Sequence, residues 1–416
     1  MRYELERFLE ACDPATPAAG ERERARRFVD RKDGFRVELA VRLRQKGAHV
    51  LCVGQTGIGK TTELLKVAEE LQTQFVVVVP PLDRDLDLSL LGWHDVMVFG
   101  CLWAAAHTKA LEDSEAVRRL IGIIGGEKTQ PPTGAVTQVT MMPPPRIHGV
   151  ATEGKIPAPS AFQKFRNEHQ KIKERIAKGP AQVADLCRQA VAEIEKKAGR
   201  PLVVLLDGLE KVTVEVARRL FYEEARLALD LPFRAAVVAP HALLHQEYSA
   251  DLSDSFSGEP LVLRAISCQR DEPEGRRFFT EMIRSRGATD LLEAEAMELA
   301  IDACGGIPRQ LLTIACNAAS LAIAQDASSI TSDLMIRGRE RAMERFFYAL
   351  RDDDYRDLRE FAEDRLPEPR RERLLRLLAV IEYGKVGSFP RLGVNPLCNP
   401  LVKRYEASHP REAIPF

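Results

Sequence analysis

The stretch GQTGIGKTT, Gly54 to Thr62, has the residue types and spacing of a loop that binds phosphate. It fits the pattern G-x-x-x-x-G-K-[ST] at every fixed position, and an accidental glycine turn is the alternative interpretation. Glycines let the backbone curl so that successive N–H groups converge on phosphate oxygens, and the following helix adds its positive N-terminal end. Lys60 would contact the β- and γ-phosphates, and the Thr61 hydroxyl would bind Mg²⁺. The predicted loop residues are Gly54, Gln55, Thr56, Gly57, Ile58, Gly59, Lys60, Thr61 and Thr62.

A magnesium ion at such a loop needs a carboxylate as well, at the carboxyl end of a neighbouring buried strand. The string PLVVLLDGLEKV supplies one, because an apolar run ends at Asp207. A cap of the following helix is the alternative role for Asp207. Glu210 is the candidate for polarising the attacking water, and a solvated glutamate at a helix start explains it nearly as well.

The elements around these residues predict an α/β fold. HVLCVG reads as a buried strand before the loop, and TTELLKVAEEL reads as a helix after it. Further buried strands are predicted at Phe75 to Pro80, Pro201 to Asp207 and Arg234 to Pro240. Because helical segments separate these strands, we expect a parallel sheet covered on both faces, the core of a P-loop NTPase.

The chain is long enough for several domains, since single cores stop growing well below 416 residues. We expect an N-terminal helical segment over residues 1–27 and a P-loop ATPase core over 28–250, with an irregular insertion at about 125–160. A helical lid over 251–331 and a winged-helix-like C-terminal domain over 332–416 would follow.

Three strings together, GQTGIGKTT, VVLLDGLEKV and GGIPRQLL, resemble the STAND and AAA+ branches of P-loop ATPases, including origin-recognition-type initiators and NACHT-like signalling ATPases. The resemblance implies that Arg309 contacts the γ-phosphate from the lid, whereas a solvent-facing arginine at a helix start is the alternative. It also implies that Phe28 and Val29 pack beside adenine, although a hydrophobic staple would explain the same residues. Gly208 stands where AAA+ motors carry a glutamate, which predicts slow hydrolysis.

The composition of the chain indicates which classes of binding partner are expected. Sixty basic and sixty-one acidic residues leave a net charge of -1, so no global field favours nucleic acid or an anionic membrane. No apolar run approaches the roughly 18 to 20 residues of a membrane span, the nearest being DVMVFGCLWAAA, and the N-terminus lacks the apolar segment of an export signal. The eight cysteines form no CxxC pair. We therefore expect a soluble, cytoplasmic protein with reduced cysteines and no membrane partner.

Two functional hypotheses follow. The first is a nucleotide-dependent switch that binds ATP or ADP with Mg²⁺ and acts on a protein partner or on further copies of itself; the resemblance implies bacterial signalling or phage defence. The second is an initiator-like or DNA-remodelling ATPase whose C-terminal domain binds duplex DNA. The arginines of EPRRERLLRLL are better explained by a salt-bridged helix surface than by a DNA patch. An arginine acting across a subunit boundary could be Arg218, Arg219 or Arg264, each of which could equally pair with a carboxylate.

Overall fold

The structure, a computed structural model, describes residues 2–16, 26–108, 114–125, 159–245, 251–287, 290–362 and 364–409. Contacts between Cα atoms divide the chain into two compact units. The sheet unit comprises residues 35–53 and 63–262, and the loop-and-lid unit comprises residues 1–34, 54–62 and 263–416. Most of the predicted insertion at about 125–160 lies outside the described residues, and the predicted domain boundaries stay a prediction.

The sheet unit contains a five-stranded parallel sheet in the order β2-β3-β4-β1-β5. The strands are β1 His49–Val53, β2 Val76–Val78, β3 Leu202–Leu206, β4 Arg234–Ala239 and β5 Leu261–Val262. Every residue of β1 and β3 is buried, as expected for strands covered on both faces. The predicted α/β fold with a parallel sheet is confirmed.

Two details of the sheet differ from the sequence prediction. A fifth strand, β5, pairs with β1 through Cys52 and Val53, and at two residues it is too short to have been recognised. In addition β4, and not β3, lies next to β1, with His49 opposite Ala235. The strand that leads to Asp207 is therefore one strand removed from the strand that leads to the glycine loop.

The α-helices of the described residues occur in both units. In chain order they are α1 Arg2–Ala11, α2 Phe35–Arg44, α3 Lys60–Leu71, α4 Leu82–Asp85, α5 Trp93–His107, α6 Glu115–Gly125, α7 Pro159–Ala177, α8 Pro180–Ala198, α9 Val214–Arg218, α10 Leu252–Ser255, α11 Pro273–Arg284, α12 Ala294–Ala303, α13 Pro308–Ala324, α14 Ser332–Ala349, α15 Asp352–Ala362, α16 Glu368–Arg376 and α17 Asn399–Ser408.

The apolar run DVMVFGCLWAAA forms most of helix α5 in the sheet unit. Helix α5 packs on β2, β3 and α8 and is buried along most of its length. Trp93 at its start is 1% exposed and donates its indole N–H to the Leu220 carbonyl at 2.8 Å. This run of apolar residues is thus a core helix, and none of the helices described here is long and apolar enough to cross a membrane.

The loop-and-lid unit contains the predicted lid helices α11, α12 and α13, and α14 packs closely on α12 and α13. The close crossing of α13 and α14 requires Gly338, because a Cβ there would lie 2.9 Å from the Ile314 carbonyl oxygen. Helix α14, at which the C-terminal domain was predicted to begin, packs on these lid helices, and the boundary at residue 332 stays a prediction.

The C-terminal part of this unit combines helices α15, α16 and α17 with an antiparallel hairpin, β6 Val380–Tyr383 and β7 Arg391–Val394. Arg373 of α16 pairs with Asp354 of α15 through both carboxylate oxygens, at 2.6 and 3.0 Å. Arg370 pairs with Asp357 and Glu360 of the same helix. The predicted salt-bridged surface for the arginine-rich helix is therefore confirmed.

Candidate functional site

The glycine loop connects β1 to α3 and adopts backbone angles that need glycine. Gly57 has φ +84° and Gly59 has φ +105°, both in the left-handed region. A Cβ on Gly54 would lie 2.4 Å from the Leu263 carbonyl oxygen, so this position also excludes a side chain. Around Gly59, by contrast, a Cβ would meet nothing closer than 3.9 Å, which leaves room beside the loop backbone. The curled backbone and the open side at Gly59 fit a bound phosphate group.

Lys60 lies at the start of α3 and is 7% exposed. Its ammonium donates hydrogen bonds to the carbonyl oxygens of Gly54 at 2.8 Å and Gln55 at 3.1 Å. The lysine side chain therefore spans the loop and places its charge where the loop begins. Thr61 and Thr62 follow in the first turn of α3 and are half-buried. A cation and a hydroxyl at a helix N-terminus suit a magnesium-bound polyphosphate, so these residues fit ATP with Mg²⁺.

Arg309 reaches the loop through its backbone. Its N–H donates to the Gly57 carbonyl oxygen at 3.1 Å, and a Cβ on Gly57 would lie 2.8 Å from the Arg309 Cβ. The preceding Gly305 and Gly306 both have positive φ, and a Cβ on Gly306 would lie 2.1 Å from the Ile266 carbonyl oxygen. These glycines let the chain enter α13 in contact with the loop. The structure thus brings together two of the three motifs that sequence reasoning singled out.

The side chain of Gln55 is not directed at a phosphate site. It is 3% exposed, and its amide nitrogen donates to the carbonyl oxygens of Leu375 at 3.0 Å and Val380 at 2.8 Å. Its amide oxygen accepts the backbone N–H of Glu382 at 2.8 Å. Gln55 therefore links the loop to the end of α16 and to strand β6, a role that the motif did not predict.

A second buried amide network links α13 to the same C-terminal segment. Gln310, next to Arg309, donates to the Asn395 side-chain oxygen at 3.0 Å and accepts from its nitrogen at 3.2 Å. Asn395 is 0% exposed and also donates to the Leu378 carbonyl at 2.7 Å. Sequence reasoning missed both residues, since an isolated Gln and an isolated Asn give no pattern.

Arg31 is a third support of the loop that sequence reasoning missed. Its guanidinium donates to the carbonyl oxygens of Ile58 and Arg264, and its Nε lies 2.7 Å from the Asp33 carboxylate. The Arg31 side chain is 3% exposed, so this is a buried, hydrogen-bonded ion pair. Phe28 and Val29, just upstream, are half-buried, and their contact with adenine stays a prediction.

The acidic candidates belong to the sheet unit. Asp207 follows β3 directly, and Gly208 has φ +100°. Glu210 turns back within its own turn, where its carboxylate accepts the Gly208 N–H at 3.0 Å. Burial lowers the pKa of Lys211, but its hydrogen bond to Asp83 and the charges of Asp83, Glu210 and Asp207 outweigh burial and raise it. These carboxylates thus form an acidic cluster beyond the carboxyl end of β3. The roles of Asp207 as a metal ligand and of Glu210 in activating water stay predictions.

The three arginines considered for action across a subunit boundary all have carboxylates nearby. Arg264 pairs with Glu382, while Arg218 and Arg219 lie 3.3 and 4.0 Å from Glu223 and Glu224. The structure therefore singles out none of them.

No family model matches the sequence, and the comparison with curated proteins found no match. Among solved structures, the chain is similar to the Walker-type ATPase PABY2304 of Pyrococcus abyssi, with 13% identity over 94% of this chain and 99% of that one and a TM-score of 0.49. It is also similar to the ORC2 protein of Aeropyrum pernix in ADPNP–ADP complexes, with 14% identity over 96% of each chain and a TM-score of 0.46. Cdc6p of Pyrobaculum aerophilum shows 9% identity over 92% of this chain and 97% of its own, with a TM-score of 0.39. At these identities and scores the function has to be argued from the residues of this chain.

Proposed function

We propose that this protein binds ATP with Mg²⁺, hydrolyses it slowly, and acts as a nucleotide-dependent conformational switch. In this proposal the loop from Gly54 to Thr62 holds the phosphates, and Thr61 and Asp207 hold the metal ion. Arg309 reads the γ-phosphate, and Phe28 and Val29 pack beside adenine. The observation that carries the proposal is the hydrogen-bonded link between Gln55 of the loop and the C-terminal segment at residues 375–382.

Three consecutive parts of the loop are attached to three different segments of the same unit. Gln55 bonds to the C-terminal segment, the Gly57 carbonyl bonds to Arg309, and the Ile58 carbonyl bonds to Arg31. Phosphate binding requires the loop amides to converge on the ligand. A loop that adjusts to the phosphate must therefore strain or re-form these attachments. This gives the nucleotide a means of favouring one arrangement of the C-terminal segment over another.

Slow hydrolysis is supported by the turn after β3. Gly208 occupies the position directly after Asp207, and the Glu210 carboxylate is hydrogen-bonded to the Gly208 N–H. This bond holds one carboxylate oxygen of Glu210 within its own turn, so we expect the ability of Glu210 to orient a water molecule, and with it turnover, to depend on this turn. A switch that persists in one state needs slow turnover of this kind.

The test combines binding with a structural readout. Calorimetry should show Mg-dependent ATP binding by the full chain, and Lys60→Ala should abolish it. Hydrogen exchange at residues 375–382 should differ between the ATP-bound and the nucleotide-free protein. Without any ATP binding by folded protein, the whole proposal fails. If ATP binds but hydrogen exchange at residues 375–382 is the same with and without it, the protein binds nucleotide and the proposed switch is refuted.

The output of the switch would be a protein partner or self-assembly. On the basis of the resemblance to STAND ATPases, our hypothesis is that the switch acts in bacterial signalling or in defence against phage. A pull-down with the Glu210→Ala variant, held in the ATP-bound state, would identify what copurifies. Recovery of the same proteins with ADP-bound wild type would contradict nucleotide control.

One observation favours the alternative of DNA binding through the C-terminal domain. Phe389, at the tip of the β6–β7 hairpin, is 99% exposed and lies in sequence between Lys385 and Arg391. An exposed aromatic ring with basic residues close to it in sequence suits a nucleic acid groove or an unpaired base. Electrophoretic binding of duplex DNA at two salt concentrations tests this, because affinity that depends on phosphate contacts must fall with salt. Equal binding by wild type and Phe389→Ala would exclude the hairpin tip.

A further inference from the structure

A small pocket of about 50 Å³ lies beside the glycine loop, within the loop-and-lid unit. Thr56 lines it from the loop, Arg309 and Thr313 line it from the start of α13, and Arg345 lines it from the end of α14. Ala342 and Leu378 complete it with apolar surface. The lining of the pocket therefore includes a threonine of the loop and two arginines that come from different helices.

The charges of the two arginines of this pocket are not balanced by a carboxylate among the described residues. Within the part of the chain that the structure describes, no carboxylate lies within salt-bridge distance of Arg309 or Arg345. Other arginines of this unit behave differently: Arg276 pairs with Glu298 and Asp302, and Arg373 pairs with Asp354. Two unbalanced cations at one pocket are costly unless an anion joins them.

The charge of Arg309 acts on the Arg345 guanidinium, which agrees with two cations at one pocket. Burial of the guanidinium, together with the charge of Arg309, lowers the pKa of Arg345, although Cys398 acts in the opposite direction. The side chain as a whole remains exposed at its surface, so an anion can reach it from solvent. The N-terminal end of α13 adds partial positive charge from its first turn, which strengthens the preference for an anion.

The donors around the pocket favour a phosphate oxyanion. Guanidinium groups bind phosphate through paired N–H donors, and two of them can hold a tetrahedral ion from two sides. Thr56 adds a hydroxyl, whereas the Thr313 hydroxyl already donates to the Arg309 carbonyl at 2.8 Å. We propose that Arg345 is a binding residue for a phosphate oxyanion in this pocket, acting with Arg309 and Thr56. The oxyanion is either the terminal phosphate of the bound nucleotide, in which case the inference rests on the proposed function, or free inorganic phosphate.

A purely structural role for Arg345 makes different predictions. Its guanidinium lies 4.9 Å from the centre of the Phe346 ring, a cation–π distance that could by itself hold the end of α14. In that case Arg345→Gln would lower stability equally with and without anions. If Arg345 binds an anion, the same substitution relieves repulsion with Arg309 and leaves the stability of the ligand-free protein unchanged or raised.

The experiment uses the full chain as wild type, Arg345→Gln, Arg345→Lys and the control Arg341→Gln. Arg341 lies one turn earlier on α14, is exposed and does not line the pocket. Calorimetry measures the affinities for MgATP and MgADP, and thermal unfolding is followed during titration with inorganic phosphate alone. Loss of a charge-assisted contact predicts a fall of about 10- to 100-fold in the ratio of ATP to ADP affinity for Arg345→Gln. Arg345→Lys should retain part of the ratio, and Arg341→Gln should retain all of it.

The two sources of phosphate give distinct results. A reduced ATP-to-ADP ratio identifies the terminal phosphate, whereas an unchanged ratio with loss of phosphate-induced stabilisation in Arg345→Gln identifies free phosphate. If the wild-type protein binds no nucleotide, the proposed function is wrong. The titration with inorganic phosphate still tests whether the pocket binds a phosphate oxyanion. The inference is overturned if Arg345→Gln changes neither readout. It is also overturned if the substitution lowers ATP and ADP affinity equally together with the melting temperature of the ligand-free protein.

Discussion

Substitution of Gln55 should destabilise the loop-and-lid unit. In Gln55→Ala the Glu382 N–H loses its acceptor and the Val380 carbonyl loses a donor, both next to a side chain that is 3% exposed. The Leu375 carbonyl is affected less, since it also accepts the Leu378 N–H at 3.1 Å. With about 1–2 kcal/mol for each of the two groups left unsatisfied, we expect a loss of about 2–4 kcal/mol in the free energy of unfolding.

An isosteric variant sharpens this test. Gln55→Glu keeps an acceptor for the Glu382 N–H but places carboxylate oxygens against the carbonyls of Leu375 and Val380. Burial and these carbonyls favour the protonated carboxyl, so its pKa in the folded protein should rise above the usual value for glutamate. The sign is therefore opposite to that of a salt-bridged acid: stability is lost as pH rises through the folded pKa and regained on going from pH 7 towards pH 5. Gln55→Ala should show no such recovery.

The assay is urea unfolding at pH 7 and pH 5, with hydrogen exchange at residues 375–382 to locate the change. Gln325→Ala serves as the control, because Gln325 is exposed and belongs to the same unit. A free energy of unfolding for Gln55→Ala within about 0.5 kcal/mol of that for Gln325→Ala, the range typical of surface substitutions, would show that these hydrogen bonds contribute little. If the free energy of unfolding of Gln55→Glu depends on pH in the same way as that of wild type, the expected rise in the pKa of the introduced carboxyl is wrong, whereas the expected loss in Gln55→Ala is unaffected.

The other predictions concern turnover, packing and pH. Glu210→Ala should leave ATP affinity unchanged and lower the single-turnover hydrolysis rate by at least tenfold; an unchanged rate removes Glu210 from the mechanism. Gln310→Leu and Asn395→Leu should each lower the free energy of unfolding. The double variant should lose about 1–2 kcal/mol less than the sum of the two single losses, as measured by chemical denaturation. Additive losses would show that the two amides are not coupled. Burial raises the pKa of Asp354, but Arg373 and neighbouring donors outweigh it and lower the pKa. Asp354→Asn should therefore lower the free energy of unfolding by about 1 kcal/mol, and this difference from wild type should be the same at pH 7 and pH 5. The difference should vanish at lower pH, where the wild-type carboxylate becomes protonated. An undiminished difference at pH 2 would contradict this prediction.

Sequence patterns predicted the elements that depend on local physics. Parallel strands covered on both faces are largely apolar, so β1, β2, β3 and β4 were recognisable, while β5 at two residues carried no pattern. The pairing of Arg370 and Arg373 with the acidic helix before them followed from alternating charge over a short stretch.

The supports of the loop were not predictable in this way. Gln55 fitted its motif as a variable position, and its partners are backbone groups 320 to 327 residues further along the chain. All residue types offer a backbone carbonyl, and all except proline offer an N–H, so the sequence does not indicate which backbone groups Gln55 contacts. Arg31 likewise binds the carbonyls of Ile58 and Arg264, which no charge pattern could indicate. A pattern identifies a phosphate loop, whereas the residues that brace it become visible only in three dimensions.

The distance along the chain between Gln55 and its partners also has a consequence for biosynthesis. A ribosome delivers all five strands of the sheet before residues 375–382, because β5 ends at Val262. Strand pairing can thus proceed on the nascent chain, while the glycine loop gains its bonds to Leu375, Val380 and Glu382 only after residue 382 has emerged. Translation itself would then impose an order in which the sheet matures first and the braced nucleotide loop last.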